Sequence, residues 1–236
     1  VGEAKMSKTT GNVVNPMEMA DRYGVDAFRY FLMAEMVLGQ DASFTEEAFV
    51  RRINTDLAND LGNLLSRWVK MVTAYCGGAI PAPGREEPDD AALKEKALAA
   101  IAAMREGLSA MRIDAGLGAI AAALREGNRY IEVSQPWSLA KKGDAARLGT
   151  VLYGLGDMLR IVSGLLYPIM PAKMREMREV LGVEDLEPAP DRLLAWGVTK
   201  PGATIGAMRR LFPRVEPDAG KPPAAAVPAP APAAPA

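Results

Sequence analysis

Histidine is absent from all 236 residues and cysteine occurs once, at Cys76. Without histidine there is no Ser-His-Asp or Cys-His nucleophile system, no His-ligated metal and no haem with a proximal His. A single cysteine excludes an internal disulfide and any Cys-cluster zinc site, and it fits a reducing compartment. No apolar run approaches the length of a membrane span. A basic excess is also missing: the formal net charge is −1, so a role on nucleic acid must rest on local placement of cations. Any chemistry falls to Lys, Arg, Ser, Thr, Asp, Glu or backbone groups. The chain opens Val1-Gly2-Glu3-Ala4-Lys5, with no initiator methionine and no apolar signal region. It is expected to begin inside a longer reading frame.

What is present is mostly helical periodicity. From Thr45, apolar residues fall at Phe49, Ile53, Leu57, Leu61, Leu64, Leu65, Trp68, Met71, Val72 and Tyr75. Steps of three and four predict one long amphipathic helix. Ser43 or Thr45 serves as its N-cap, Glu46 and Glu47 are first-turn carboxylates and nothing more, and Gly77-Gly78 stops it. Further helices are expected from about Asp89 to Arg112, Asp114 to Val133, Asp144 to Leu166 and Ala172 to Leu181, with Pro136, Pro168 and Pro171 as breaks. Ahead of the long helix, Met17 to Tyr23 and Asp26 to Val37 read as short helices, the second capped by Asp26. Only Phe212 to Val215 suggests a strand. Asp21, Arg22, Asp26 and Arg29 form a charged cluster given a structural role, and Cys76, with no basic neighbour, reads as inert. The tail from Pro217 to Ala236 is almost wholly Ala and Pro, a disordered tail or a linker. The fold class is all-α, an antiparallel helical bundle with a small N-terminal lead-in.

Two features carry chemistry. Lys5-Met6-Ser7-Lys8-Thr9-Thr10-Gly11-Asn12 sets two lysines three apart in a small-residue loop, a pattern that can meet phosphate charge and is equally an ordinary solvated loop. On the long helix, Asn63 and Arg67 are four apart and project from one face. An amide and a guanidinium can read a base edge, or can be a plain solvated surface. Trp137 follows Pro136, which fixes the local backbone. That tryptophan is either a stacking platform for an unstacked base or a core residue.

The loop from Lys5 to Thr9, followed by Gly11-Asn12, resembles the Lys-Met-Ser-Lys-Ser signature of class I aminoacyl-tRNA synthetases, with Thr9 in place of the last Ser. Tyr23 to Tyr30 is similar to that group in general. Gly39 to Phe44, Asn54 to Arg67 and Gln135 to Lys141 are similar to methionyl-tRNA synthetases in order and spacing, over roughly residues 1 to 215. The resemblance implies a class I anticodon-binding bundle preceded by the C-terminal edge of a catalytic domain. It divides the chain at 1–44, 45–196, a segment 197–216 packing back together with Trp196, and the tail 217–236. It implies a methionine–tRNA ligase that uses ATP, with Mg2+ accompanying it, and no metal site in this chain. Lys5 and Lys8 become the catalytic pair, with Met6, Ser7, Thr9, Gly11 and Asn12 completing the ATP loop. Asn63, Arg67, Pro136 and Trp137 become the anticodon contacts, chiefly to its first base, a cytosine. Trp68 is expected to point away from Arg67, toward a core or a partially covered face. The family's His-Ile-Gly-His signature, methionine pocket and metal knuckle have no counterpart here, so this piece is not expected to activate methionine alone. The implied partners are methionine tRNA, methionine and ATP, in a cytoplasmic monomer with no membrane contact. A free-standing helical tRNA-binding module is the alternative, and a complete enzyme of another type using lysine chemistry is a weaker one.

Overall fold

The structure, a computed structural model, describes residues 15–40, 44–188 and 195–216. The lysine loop and the Ala-Pro tail lie outside those residues. Two short helices come first, α1 (Pro16–Tyr23) and α2 (Val25–Glu35). Asn15 caps α1 by accepting from the Met17 N–H at 3.0 Å, and Gly24, at φ 89°, separates the two helices. Then α3 (Glu46–Arg52), a π-helical segment (Ile53–Asn63) and α4 (Leu64–Cys76) run on without a break. The expected long helix is therefore continuous, but its middle is wound in π register, which a period-3.6 pattern does not encode. Thr45 caps it, its hydroxyl accepting from the Ala48 N–H at 3.1 Å.

The bundle continues with α5 (Pro88–Ser109), α6 (Ile113–Ser134), α7 (Pro136–Lys142), α8 (Ala145–Leu166) and α9 (Pro171–Leu181). Pro136 does more than interrupt. With its N–H already missing, it opens α7 at a first-turn position. Nearly every residue of α8 is buried, so this helix is the axis against which α5, α9, α7, α4 and α6 pack. Trp68 is fully buried, donates Nε1–H to the Leu152 carbonyl at 2.8 Å, and lies so close to α8 that a Cβ on Gly156 would come within 2.8 Å of its ring.

Several local expectations change. Asp26 does not cap α2; its carboxylate crosses to α9 and accepts from the Lys173 N–H at 2.6 Å. Arg29 reaches the preceding corner, donating to the Ile169 carbonyl at 2.7 Å and the Pro168 carbonyl at 2.9 Å. Together they make α2 a bracket on the α8–α9 turn. Glu46 is more than a first-turn carboxylate: it pairs with Arg22 at 2.9 Å and accepts from the Tyr23 hydroxyl. Tyr23, Phe28, Phe31, Phe44 and Phe49 pack on one another with ring centroids 4.9–6.4 Å apart, joining the lead-in to α3. Helix α2 ends at Glu35, short of Val37.

Phe212 to Val215 is not a strand. Its backbone is served by a side chain: Asn54 donates to the Val215 carbonyl at 2.7 Å and accepts its N–H at 3.0 Å. Among the described residues the β pairing is one isolated bridge, Ala79 to Thr204. The segment from Ala195 onward lies along the bundle, with Trp196 half-buried against the core. Asp157, fully buried on α8, anchors it by accepting from Arg160 Nε at 2.8 Å, the Gly197 N–H at 2.6 Å, and the Thr199 N–H and hydroxyl at 3.2 and 2.5 Å. No described helix is long and apolar enough to cross a membrane.

Candidate nucleic-acid interface

The junction of the π segment with α4, the end of α6 and the start of α7 meet at one face. Asn63 is the last residue of the π segment and is exposed. One turn on, Arg67 leaves α4 half-buried and donates to Glu132 Oε1 at 2.5 Å. Glu132 belongs to the last turn of α6, five residues before Trp137. The ion pair thus ties the Asn63–Arg67 face to the corner between α6 and α7. Glu132 itself is 62% exposed, so the pair contributes geometry more than stability.

The corner is stiff. Gln135 takes the left-handed conformation at φ 43°, unusual for a non-glycine residue. The fixed ring of Pro136 is buried beneath it. Trp137, next in line, is 42% exposed. Its contrast with Trp68 is physical: one indole is sealed and hydrogen-bonded, while the other presents a face to solvent from a constrained backbone. Lys141 lies one turn beyond Trp137 and Lys70 one turn beyond Arg67, both exposed. Helices α4 and α7 pack together, so these cations lie on the two helices that carry Arg67 and Trp137. Helical spacing from Arg67 and Trp137 was signal enough to find both lysines. Nothing in the sequence pointed to Glu132.

Asn63 also borders a groove of about 500 Å3 between the π segment and the C-terminal segment. Asn59, Ser66, Arg209, Arg210 and Arg214 line it as well. Arg214 donates to Asn59 Oδ1 at 3.1 Å and Arg209 pairs with Glu179 at 2.7 Å. Amides, a hydroxyl and guanidiniums are the donors that base edges and phosphates accept from. Burial pushes the Cys76 thiol up, away from the reactive thiolate. Among the described residues, no group of three or more His, Cys, Asp or Glu could hold a metal ion. Lys5, Met6, Ser7, Lys8, Thr9, Gly11 and Asn12 lie outside the described residues.

Residues 80–222 match the family described as the anticodon binding domain of methionyl tRNA ligase. The chain belongs to that family. Residues 1–69 match the family of class I (M) tRNA synthetases. A methionine–tRNA ligase of Brucella suis biovar 1 is 42% identical over 213 residues, covering 89% of this chain and 40% of the relative. One from Caldanaerobacter subterraneus is 43% identical over 214 residues, covering 90% of this chain and 33% of the relative. The methionyl-tRNA synthetase of Mycobacterium tuberculosis, solved in complex with methionyl-adenylate, superposes with a TM-score of 0.81 at 39% identity, over 89% of this chain and 42% of that one. The chain therefore spans well under half the length of these relatives. Asn63 and Arg67 flank the join of the π segment and α4, and Trp137 lies in the first turn of α7.

Proposed function

We propose that this chain carries anticodon recognition for a methionine–tRNA ligase, which attaches methionine to its tRNA at the expense of ATP. Trp137 stacks on an unpaired anticodon base, and Asn63 and Arg67 read the edge of the first anticodon base, a cytosine. Pro136 holds the corner from which the indole projects. Stacking plus edge hydrogen bonds is how single-stranded RNA loops are read. The observation that carries this reading is the 42% exposed Trp137 on a constrained corner that the Arg67–Glu132 pair ties to the Asn63 face. Arg67 spends one N–H on Glu132 and keeps others for a base.

Lys5 and Lys8 meet the phosphates of ATP in the activation step, where charge develops on the leaving pyrophosphate. Met6, Ser7, Thr9, Gly11 and Asn12 shape that loop, and Mg2+ enters with ATP. Residues 1–44 form the edge of the catalytic unit, 45–196 the reading bundle, 197–216 its returning segment and 217–236 a tail. The working form is a cytoplasmic monomer bound to methionine tRNA.

The test is binding of this chain to hairpin RNAs carrying the methionine anticodon, with cytosine or uracil at its first position. Preference for cytosine by about tenfold or more is expected. Equal affinity for both would refute the reading. Methionine-dependent pyrophosphate exchange by the chain alone is expected to be absent.

A further inference from the structure

The π segment raises a hydrogen-bonding question. In an α-helix the Leu64 N–H would serve the Asp60 carbonyl, but here it turns to the Leu61 carbonyl. A side chain from another helix bonds the Asp60 carbonyl: Asn128 on α6 donates Nδ2–H to it at 3.0 Å and to its own Leu124 carbonyl at 3.1 Å. Asn128 does not act by itself. Arg125, Asn128 and Glu132 share one face of α6, and all three engage the long helix, at Asp60, at the Asp60 carbonyl and at Arg67. Arg125 and Glu132 are exposed, at 58% and 62%. Asn128, half-buried, is the member of the three shielded from water.

We propose that Asn128 is a positioning residue that locks the π register of the reading helix and so sets where Asn63 points; this rests on the anticodon-reading function above. A π turn closes on the fifth residue rather than the fourth, and one residue of slip turns the chain by about 100°. The chain is pinned near the start of the segment and again beyond its end. On one side Tyr30 donates to Asp56 at 2.9 Å and Asn54 holds Val215. On the other, Trp68 is sealed on Leu152. A slip is therefore absorbed between them, across Asn59 to Asn63, which is the stretch that borders the groove. Asn128 acts through the backbone of Asp60 and touches no RNA.

The experiment uses Asn128→Asp, which keeps the size and replaces the donor with an oxygen facing the Asp60 carbonyl. Affinities for the cytosine and uracil hairpins are measured for it, for Asn63→Ala and for the double variant, with circular dichroism and thermal melting as the check on folding. Asn128→Asp is expected to lose about tenfold in the cytosine-to-uracil ratio, and to lose nothing further in the Asn63→Ala background, because both changes remove one interaction. An unchanged ratio in the folded variant, or losses that add in full, overturns the proposal. If Asn128→Asp does not fold, Asn128→Ala repeats the test, and failure of both to fold makes the residue structural and overturns it too. Wild-type chain that does not distinguish the hairpins refutes the anticodon reading itself, a separate result.

Discussion

Trp137→Ala separates recognition from stability. An indole carries up to about 250 Å2 of surface, and 42% exposure leaves about 100 Å2 of that open to a partner. Covering it with a base is worth up to about 2.5 kcal/mol at ~25 cal/mol per Å2, in the upper part of the roughly 1–3 kcal/mol found per stacked base. Truncation to Ala is expected to weaken hairpin binding between about fivefold and a hundredfold, measured by calorimetric titration. The salt dependence of binding is expected to stay the same, because no phosphate contact is removed. Thermal stability is expected to change by about 1 kcal/mol or less, since much of the side chain is already in water. Trp68→Ala is the opposite control. It empties a fully buried site whose Nε1–H serves Leu152, and is expected to cost about 3–5 kcal/mol of stability. A folded Trp137→Ala variant with unchanged affinity would refute the stacking role.

Asp157→Ala removes the buried carboxylate that accepts from Arg160 Nε and from the Gly197 and Thr199 amides. A loss of about 3–5 kcal/mol in urea unfolding is expected, with faster amide exchange at Thr199; a cost under about 1 kcal/mol would show that water replaces the carboxylate. Asp60 has its carboxyl pushed up by burial and by neighbouring Asp56, against the opposing pull of Arg125. A carboxyl raised on folding is less stable when ionised, so its penalty is present above the folded value and fades as pH falls toward the ordinary range near 4. Asp60→Asn is therefore expected to stabilise the fold at neutral pH by about 0.5 kcal/mol, kept small by partial exposure, and to lose that advantage in acid. A gain that persists below about pH 4 would point to another cause.

Helix existence was legible in the sequence because each amphipathic stripe repeats over many residues while boundaries rest on one or two. Thr45 did cap its helix. Asp26 illustrates why boundaries fail: its type suits a cap, but a carboxylate serves whichever amide lies nearest in space, and tertiary packing brings it the Lys173 N–H. The Phe212–Val215 stretch fails for a related reason. An extended apolar stretch becomes a strand only where a partner strand exists, and here Asn54 supplies the backbone bonds of Val215 instead.

The candidate site divides along the same line. That Asn63 and Arg67 share a helix face and that Trp137 follows a proline were legible from residue type and spacing, which are local properties, whereas their anticodon role rests on the resemblance. What the sequence could not show is that Arg67 is held from α6, that the reading helix is π-wound, and that Asn128 serves the Asp60 carbonyl. The two side-chain couplings join residues 65 and 68 positions apart in the chain. Under the proposed anticodon reading they bear on specificity, because a base edge is read by donors in fixed positions and spacing along one helix does not fix them alone. A second helix must brace the reader from the side. Where the brace is an exposed ion pair such as Arg67–Glu132, salt weakens it. Where it is a shielded amide on a backbone carbonyl, as at Asn128, the register holds across ionic strength. The cytosine preference should accordingly outlast salt that lowers overall affinity.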